Sequence, residues 1–221
     1  LDGVSAEAGF KETENFGRLE YSFSLLAKEC GIEMTDCSLI EENGRAHFLT
    51  KRFDRANGEK IHMQTLCGMA HYDFHLRCAY SYEQAFNVMR RLRLPYSQAE
   101  EMFLRMVFNV VIRNQDDHTK NISFLMDKTG KWTLSPAYDI GFAYNPKGSW
   151  TDTHQMSING KFDDITRRDL LVCAAANNIK NAAEIIDKVC ETTAKWPEMA
   201  KNCGVPQEMI DARLPYMLLN V

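Results

Sequence analysis

Seven cysteines are scattered through this 221-residue chain with none in a CxxC or CxxH spacing. That argues against both a structural zinc site and a disulfide framework, and it sets a reducing cytoplasm as the expected location. No apolar run approaches the roughly 18 residues needed to span a bilayer, and no signal peptide is recognisable, so no membrane role is expected. Positive charge is not in surplus either. Lys and Arg total 26 against 30 Asp and Glu, a formal net charge of −4, which argues against direct nucleic-acid binding through the overall field. The one dense basic stretch, RRLR at 90–93, reads as a solvated helix face. Internal repeats and low-complexity linkers are also absent. What remains is an ordinary globular composition, 45% hydrophobic and 25% charged, long enough to bury a core as one large domain or two small ones.

Residues 1–15 lack periodicity and read as a loop. From Phe16 to Cys30, Leu19, Phe23, Leu26 and Ala27 follow the helical period, and Gly31 supplies a stop. Asn43-Gly44, between two β-prone runs over 37–53, predicts a hairpin. Ser97 and Glu100 read as a capping box opening a helix to about Arg113. Between Met102 and Ile112 that helix is apolar almost all round, with Arg105 and Asn109 the exceptions, so it is expected at the centre of the domain. A second hairpin follows (NISFLM, a DKTG turn, KWTLS). Thr166 and Asp169 predict a capped helix, with helical segments around 169–177, 181–194 and 207–219.

The chemistry concentrates at RNQDDHTKN, 113–121, directly after the greasy helix. Asp116 and Asn121 stand as D-x-x-x-x-N, and the second hairpin returns the chain so that Asp139, in SPAYDIG, arrives beside Asn121. Two carboxylates and a carboxamide on one rim suit a hard cation such as Mg²⁺, which shares its oxygen ligands with substrate phosphates. The protein-kinase catalytic loop and the D-x-G that follows it use the same order of parts. Two other readings stay open on the residues alone. Asp116, Asp117 and Asn121 would serve as turn and cap residues, or Asp116, His118 and Asp139 would hold the metal of a hydrolase. His118 by itself reads as a hydrogen-bonding neighbour.

The segments TKRFDR (50–55), NQDDHTKN (114–121) and LSPAYDIG (134–141), in that order, resemble the HipA family of bacterial serine/threonine kinases, which includes the toxins of toxin–antitoxin pairs. The resemblance covers nearly the whole chain, from GRLEYSFSLLAKECGI (17–32) through MSINGKFDDITRRDLL (156–171). It implies an α+β, protein-kinase-like fold. A remnant of the N-terminal lobe over 1–55 would carry the inter-lobe connection, and a mostly helical C-terminal lobe over 56–221 would carry the short catalytic β hairpin. It further implies Asp116 as catalytic base, Asn121 and Asp139 as Mg²⁺ ligands, Lys51 and Phe53 near the adenine of ATP, and Gln64, His118 and Tyr138 lining the nucleotide pocket. On the residues alone Phe53 reads equally well as a core aromatic.

Parts of the pattern are missing. No glycine-rich phosphate loop precedes Asp116 and no strand with a lysine precedes the first helix; Lys11 is the one candidate, in a segment read as loop. The chain starts at Leu1, so the expectation is the C-terminal part of a longer kinase, weakly active or inactive alone. Glu20 would be the helix glutamate that pairs with the missing lysine, or an exposed helix residue. Arg113 stands where many relatives have glycine. The competing functions are a small-molecule phosphotransferase and a non-catalytic module that binds an antitoxin. The resemblance implies a protein substrate, such as a translation factor or an aminoacyl-tRNA synthetase, and a DNA-binding antitoxin of HipB type as partner. Ser149, Thr151 and Thr153 fall where kinases carry an activation segment.

Overall fold

The computed structural model describes residues 14–221. Lys11 and nearly all of the expected N-terminal loop lie outside the described residues. Helix α1 (Phe16–Cys30) buries Leu19, Phe23, Leu26, Ala27 and Cys30 along one stripe, and Gly31, at φ 101°, ends it in a left-handed turn. Strands β1 (Cys37–Glu42) and β2 (Arg45–Thr50) pair antiparallel with Glu42 opposite Arg45. Asn43 and Gly44, at φ 51° and 77°, make the tight turn between them. The same device recurs unread at Asn57-Gly58, which joins β3 (Arg55–Ala56) to β4 (Glu59–Lys60).

β5 (His62–Thr65) leads into the short helix α2 (Leu66–Ala70). β6 (Tyr80–Ser81) runs into α3 (Tyr82–Arg91), opened by a capping box between Ser81 and Gln84. The RRLR stretch falls at the end of α3, where Arg90 donates to Asn177 Oδ1 at 2.6 Å. The central helix α4 (Tyr96–Val111) starts on Pro95, so the expected Ser97–Glu100 capping box does not form. Pro95 is extended at ψ 160° and its carbonyl already accepts from Gln98 N, which puts Ser97 inside the first turn. Met102, Phe103, Met106, Val107, Phe108, Val110 and Val111 are fully buried in α4. Its polar exceptions have partners: Arg105 bonds Glu101 at 2.7 Å and Asn109 donates to the Tyr82 hydroxyl at 3.0 Å.

β7 (Ser123–Met126) and β8 (Trp132–Leu134) form the expected second hairpin, and β5 pairs with the other side of β7 to give a three-stranded antiparallel sheet, β5-β7-β8. β9 (Met156–Ser157) pairs in parallel with β6. α5 (Arg167–Ala176) opens with the Thr166–Asp169 capping box, and α6 (Ala182–Thr193) follows. Helix α7 (Trp196–Asn202) has no counterpart among the expected elements. The helix expected over 207–219 is instead α8 (Gln207–Asp211) followed by one 3₁₀ turn, Leu214–Tyr216. Pro215 lacks the N–H that would continue the α-helix.

α1 ties these parts together. Its outer face carries the β1–β2 hairpin, while its inner face meets α6 and α7. Phe23 stacks on Trp196 with ring centroids 4.8 Å apart, and Trp196 Nε1 donates to Ser22 Oγ at 3.1 Å. Among the described residues no helix is long and apolar enough to cross a membrane.

Candidate active site

The buried helix α4 ends at Ile112, and Arg113, at φ 58°, turns the chain out of it. A left-handed conformation costs a non-glycine residue about 1–2 kcal/mol. Arg113 offsets that cost with an ion pair to Asp163 at 3.2 Å and by lying 4.4 Å over the ring of Tyr144. The loop then closes on itself. His118 N and Asn121 Nδ2 both reach the Asp116 carbonyl at 2.9 Å, and Asn121 N reaches the His118 carbonyl at 2.9 Å. Turn chemistry is therefore present, but it uses the backbone oxygen of Asp116 and leaves the Asp116 carboxylate facing the cleft.

The β7–β8 hairpin brings the chain back as the sequence pattern requires. Ser135 N donates to Ser123 O at 2.9 Å and Ala137 N to Glu33 O at 2.7 Å. Tyr138 follows, with its hydroxyl 2.5 Å from both Ser123 Oγ and the Lys120 carbonyl. Asp139 comes next, at φ 55°. The chain beyond it zips onto the 113–121 loop, Gln115 N to Ala143 O and Ala143 N to Arg113 O, each at 3.1 Å.

Asp139 joins two cavities. A small enclosed one of about 20 Å³ is lined by Asn121, His118, Tyr138 and Asp139 together with buried Arg105 and Asp117. An open one of about 190 Å³ is lined by Asp116, Asp139, Glu20 and Gly141. Desolvation in the cleft, followed by the Asp116 carboxylate, holds the Asp139 carboxyl above its usual range, against the pull of His118 and a hydrogen bond from Asn121. Asp139 still meets solvent at the cleft mouth, so this biases its protonation without locking it. Glu20 is raised too, by desolvation and then by Asp139, although the residue as a whole is exposed. The cleft thus carries more negative charge than its own cations balance, and Asn121 and Asp139 offer it hard oxygen donors. Among the described residues no three His, Cys, Asp or Glu side chains gather closely enough to hold a metal ion. The three-ligand hydrolase arrangement of Asp116, His118 and Asp139 is therefore not assembled. A Mg²⁺ ion, which takes one or two protein carboxyl-type ligands and completes its shell with phosphate and water, fits this donor set.

The other residues singled out from the sequence sit as follows. Phe53 and Tyr138 meet, ring centroids 5.5 Å apart. His118 lies beside Asp116, its Nε2 3.9 Å from Oδ1, and its ring edges against Phe74 at 5.7 Å. Gln64 is paired with Phe124 in the sheet and packs over Gly68, one position along β5 from the Thr65–Ser123 pair whose Ser123 bonds Tyr138. Lys51 is exposed, held through its backbone N to Asp36 O at 2.9 Å, and its side chain lines neither cavity.

Tyr82, Trp150, His154 and Gln155, four residues without a sequence signal, complete the site around Asp116 and Asp117. Asp117 is buried and accepts from the Tyr82 hydroxyl at 2.9 Å and from Gln155 N at 2.8 Å; His154 Nδ1 lies 2.8 Å from its Oδ2. Trp150 Nε1 donates to Asp116 Oδ1 at 2.6 Å. No local signal marks these partners, because they come from segments 34 to 38 positions away.

Known proteins share this architecture. The fold resembles a HipA toxin of Shewanella oneidensis MR-1, solved with HipB and operator DNA, at a TM-score of 0.66 and 19% identity over 84% of this chain and 48% of that one. It also resembles the proinflammatory kinase CtkA of Helicobacter pylori, at a TM-score of 0.57 and 14% identity over 92% of this chain and 84% of that one. These likenesses give an α+β, kinase-like fold. In sequence, a Sinorhizobium fredii protein named "Putative kinase Y4mE" is 27% identical over 52% of this chain and 30% of its own length. A Haemophilus influenzae protein named "Putative kinase" is 27% identical over 55% of this chain and 39% of its own length. The matched region is thus less than half the length of either relative. The profile of the HipA-like C-terminal domain matches residues 6–197, and the chain belongs to that family.

Proposed function

We propose that this chain carries the catalytic centre of an ATP- and Mg²⁺-dependent protein serine/threonine kinase of HipA type. The observation that carries the reading is the position of Asp139, which shares one cavity with Asn121 and the other with Asp116. Mg²⁺-ATP bound there supplies the transferable phosphoryl group and the positive charge that offsets its oxygens. Asn121 and Asp139 hold the cation through their side-chain oxygens. Phe53 and Tyr138 give adjacent aromatic faces for adenine and His118 lies beside the nucleotide, with Lys51 and Gln64 added on the resemblance alone. Asp116 orients the acceptor hydroxyl and takes its proton as the new O–P bond forms and the bond to the ADP oxygen breaks.

The sequence offers no glycine-rich loop upstream of Asp116 and no lysine on an expected strand before α1, the two parts with which kinases grip phosphates. The reading therefore expects weak transfer or none from residues 1–221 alone. The partner in this reading is a DNA-binding antitoxin of HipB type, supported by the complex in which the Shewanella relative was solved. The substrate is a protein hydroxyl, with translation factors and aminoacyl-tRNA synthetases the first candidates by resemblance. The test is Asp116→Asn in the natural protein, with phosphate transfer from ATP and folding measured separately. Removing a general base costs about 10²–10⁴-fold in rate. A folded Asp116→Asn protein that still transferred phosphate at the parent rate would overturn the assignment.

A further inference from the structure

The loop that carries Asp116 is largely buried, but the Asp116 side chain is 39% accessible at the cleft, and a carboxylate in that setting rotates freely unless a donor holds it. Trp150 supplies that donor. Its indole Nε1 reaches Oδ1 at 2.6 Å from a segment 34 residues downstream. The indole is placed by its surroundings. The Trp150 carbonyl accepts from Gln155 Nε2, Asn145 N bonds Thr151 O at 3.1 Å, and Arg77 grips Asp152 and the Thr153 hydroxyl. The imidazole of His118 lies edgewise 6.4 Å from the indole ring. The far end of the same stretch is fixed inside the protein, where His154 and Gln155 hold the adjacent carboxylate, Asp117, at 2.8 Å each. One six-residue run, 150–155, therefore grips two neighbouring carboxylates. It grips Asp117 in the interior as an anchor and Asp116 at the cleft by a single N–H.

We propose that Trp150 is a positioning residue for Asp116: its indole N–H pins Oδ1 and so presents Oδ2 to the acceptor hydroxyl. The role rests on the kinase reading above; the hydrogen bond itself does not. A charge-assisted bond to one oxygen is strong enough to select a carboxylate rotamer. A fixed rotamer matters most in the transition state, where the proton has to pass along one direction. Trp150 is only half-buried and lies outside the hydrophobic core, so its removal leaves the packing of α1, α4 and α6 intact.

The test has two arms, both in the natural protein. In the first, the indole N–H resonances of Trp132, Trp150 and Trp196 are resolved in a ¹⁵N-labelled sample and Trp150 is assigned through Trp150→Phe. Asp116→Ala then moves the Trp150 indole proton upfield and leaves that of Trp196, bonded to Ser22, in place. An unmoved Trp150 signal overturns the proposal whatever the enzyme does. In the second, Trp150→Phe lowers kcat about tenfold at unchanged KM for Mg²⁺-ATP, the pattern of an interaction made in the transition state. Trp150→His, which keeps a ring N–H, recovers part of that loss. An unchanged kcat in Trp150→Phe, or equal losses in the Phe and His variants, overturns the positioning role. Full phosphate transfer by Asp116→Asn would instead overturn the kinase reading, and the role with it, leaving the resonance measurement to judge the bond alone.

Discussion

The ring of Phe53 lies 5.5 Å from that of Tyr138, at an interplanar angle of 40°. This contact joins the segment leaving the β1–β2 hairpin to the residue immediately before Asp139, so the wall proposed for adenine and the ligand proposed for Mg²⁺ are one connected piece. The two halves of Tyr138 have separable duties. Its ring faces Phe53, while its hydroxyl holds Ser123 and the Lys120 carbonyl. Phe53→Ala is expected to raise the KM for ATP about two- to tenfold, the equivalent of one aromatic contact of about 0.5–1.5 kcal/mol. Tyr138→Phe keeps the ring and is expected to spare KM while lowering stability by about 1 kcal/mol for the lost hydrogen bonds. Nucleotide titration and urea unfolding on the two variants separate these effects.

Asp139 sets function against stability. Desolvation and then Asp116 raise its carboxyl in the folded state. With the folded value above the unfolded one, the native chain binds the extra proton between the two values. Its stability therefore falls as pH rises through that window, and at neutral pH the charge is a cost. Asp139→Asn removes the charge and is expected to stabilise the nucleotide-free protein by about 0.5 kcal/mol, a small figure because the site is open to screening. The same change removes a cation ligand, so Mg²⁺-ATP no longer raises the melting temperature. In the parent protein Mg²⁺-dependent stabilisation is expected to weaken as pH drops through the same window. Thermal melts with and without Mg²⁺-ATP at several pH values check both signs; a destabilised Asp139→Asn protein without ligand would refute the first.

What the sequence made legible follows sequence distance. Asp116, Asn121 and Asp139 lie within one helix end and one hairpin, and local rules of turn and pairing bring them together. Asp116 and Asp117 are identical side chains on adjacent residues, and only tertiary packing decides that Asp117 is buried on Tyr82 and His154 while Asp116 faces the cleft. Trp150, His154 and Gln155 sit in a stretch without helical or strand period, so nothing local announced their roles. At the start of α4, Ser97-x-x-Glu100 matches a capping box, but Pro95 offers an extended residue two positions earlier and the helix starts there. The seven residues of helix α7 carry too little periodicity to stand out, and Trp196-Pro197 at its head reads as a break.

Gly17 tests how α1 meets the hairpin. A Cβ built at this position would lie 2.0 Å from the Ala46 carbonyl oxygen and 3.0 Å from Phe48 N, both of them backbone atoms that cannot swing away. Helix propensity alone favours Gly17→Ala by about 1 kcal/mol. The clash acts against it, and overpacking of this kind costs about 1–3 kcal/mol or more. The net expectation is destabilisation, with the melting temperature falling about 2–4 °C per kcal/mol for a chain of this size. A stabilised Gly17→Ala protein would mean that α1 and β2 are not pressed together in solution.

Asp169 is expected to contribute to the acid sensitivity of the fold. Its side chain is 4% exposed and closes the cap of α5, accepting from Thr166 N at 2.9 Å, Thr166 Oγ1 at 2.6 Å, Asn159 Nδ2 at 2.9 Å and Lys161 Nζ at 2.8 Å. Burial works to raise its pKa, but the bonds from Lys161, Thr166 and Asn159 outweigh it and hold the carboxyl far below the usual range. A depressed carboxylate contributes stability that is fully present above the unfolded value, near about 4. That contribution is lost as pH falls below the unfolded value toward the folded one. Asp169→Asn keeps the shape but gives up the charge and at least one acceptor, and is expected to cost about 1–3 kcal/mol at neutral pH. Because the variant has nothing left to protonate there, its stability is expected to fall less steeply than the parent's between pH about 4 and 2. Urea unfolding of both proteins across that range measures the difference, and parallel curves would show that Asp169 is not the group that titrates.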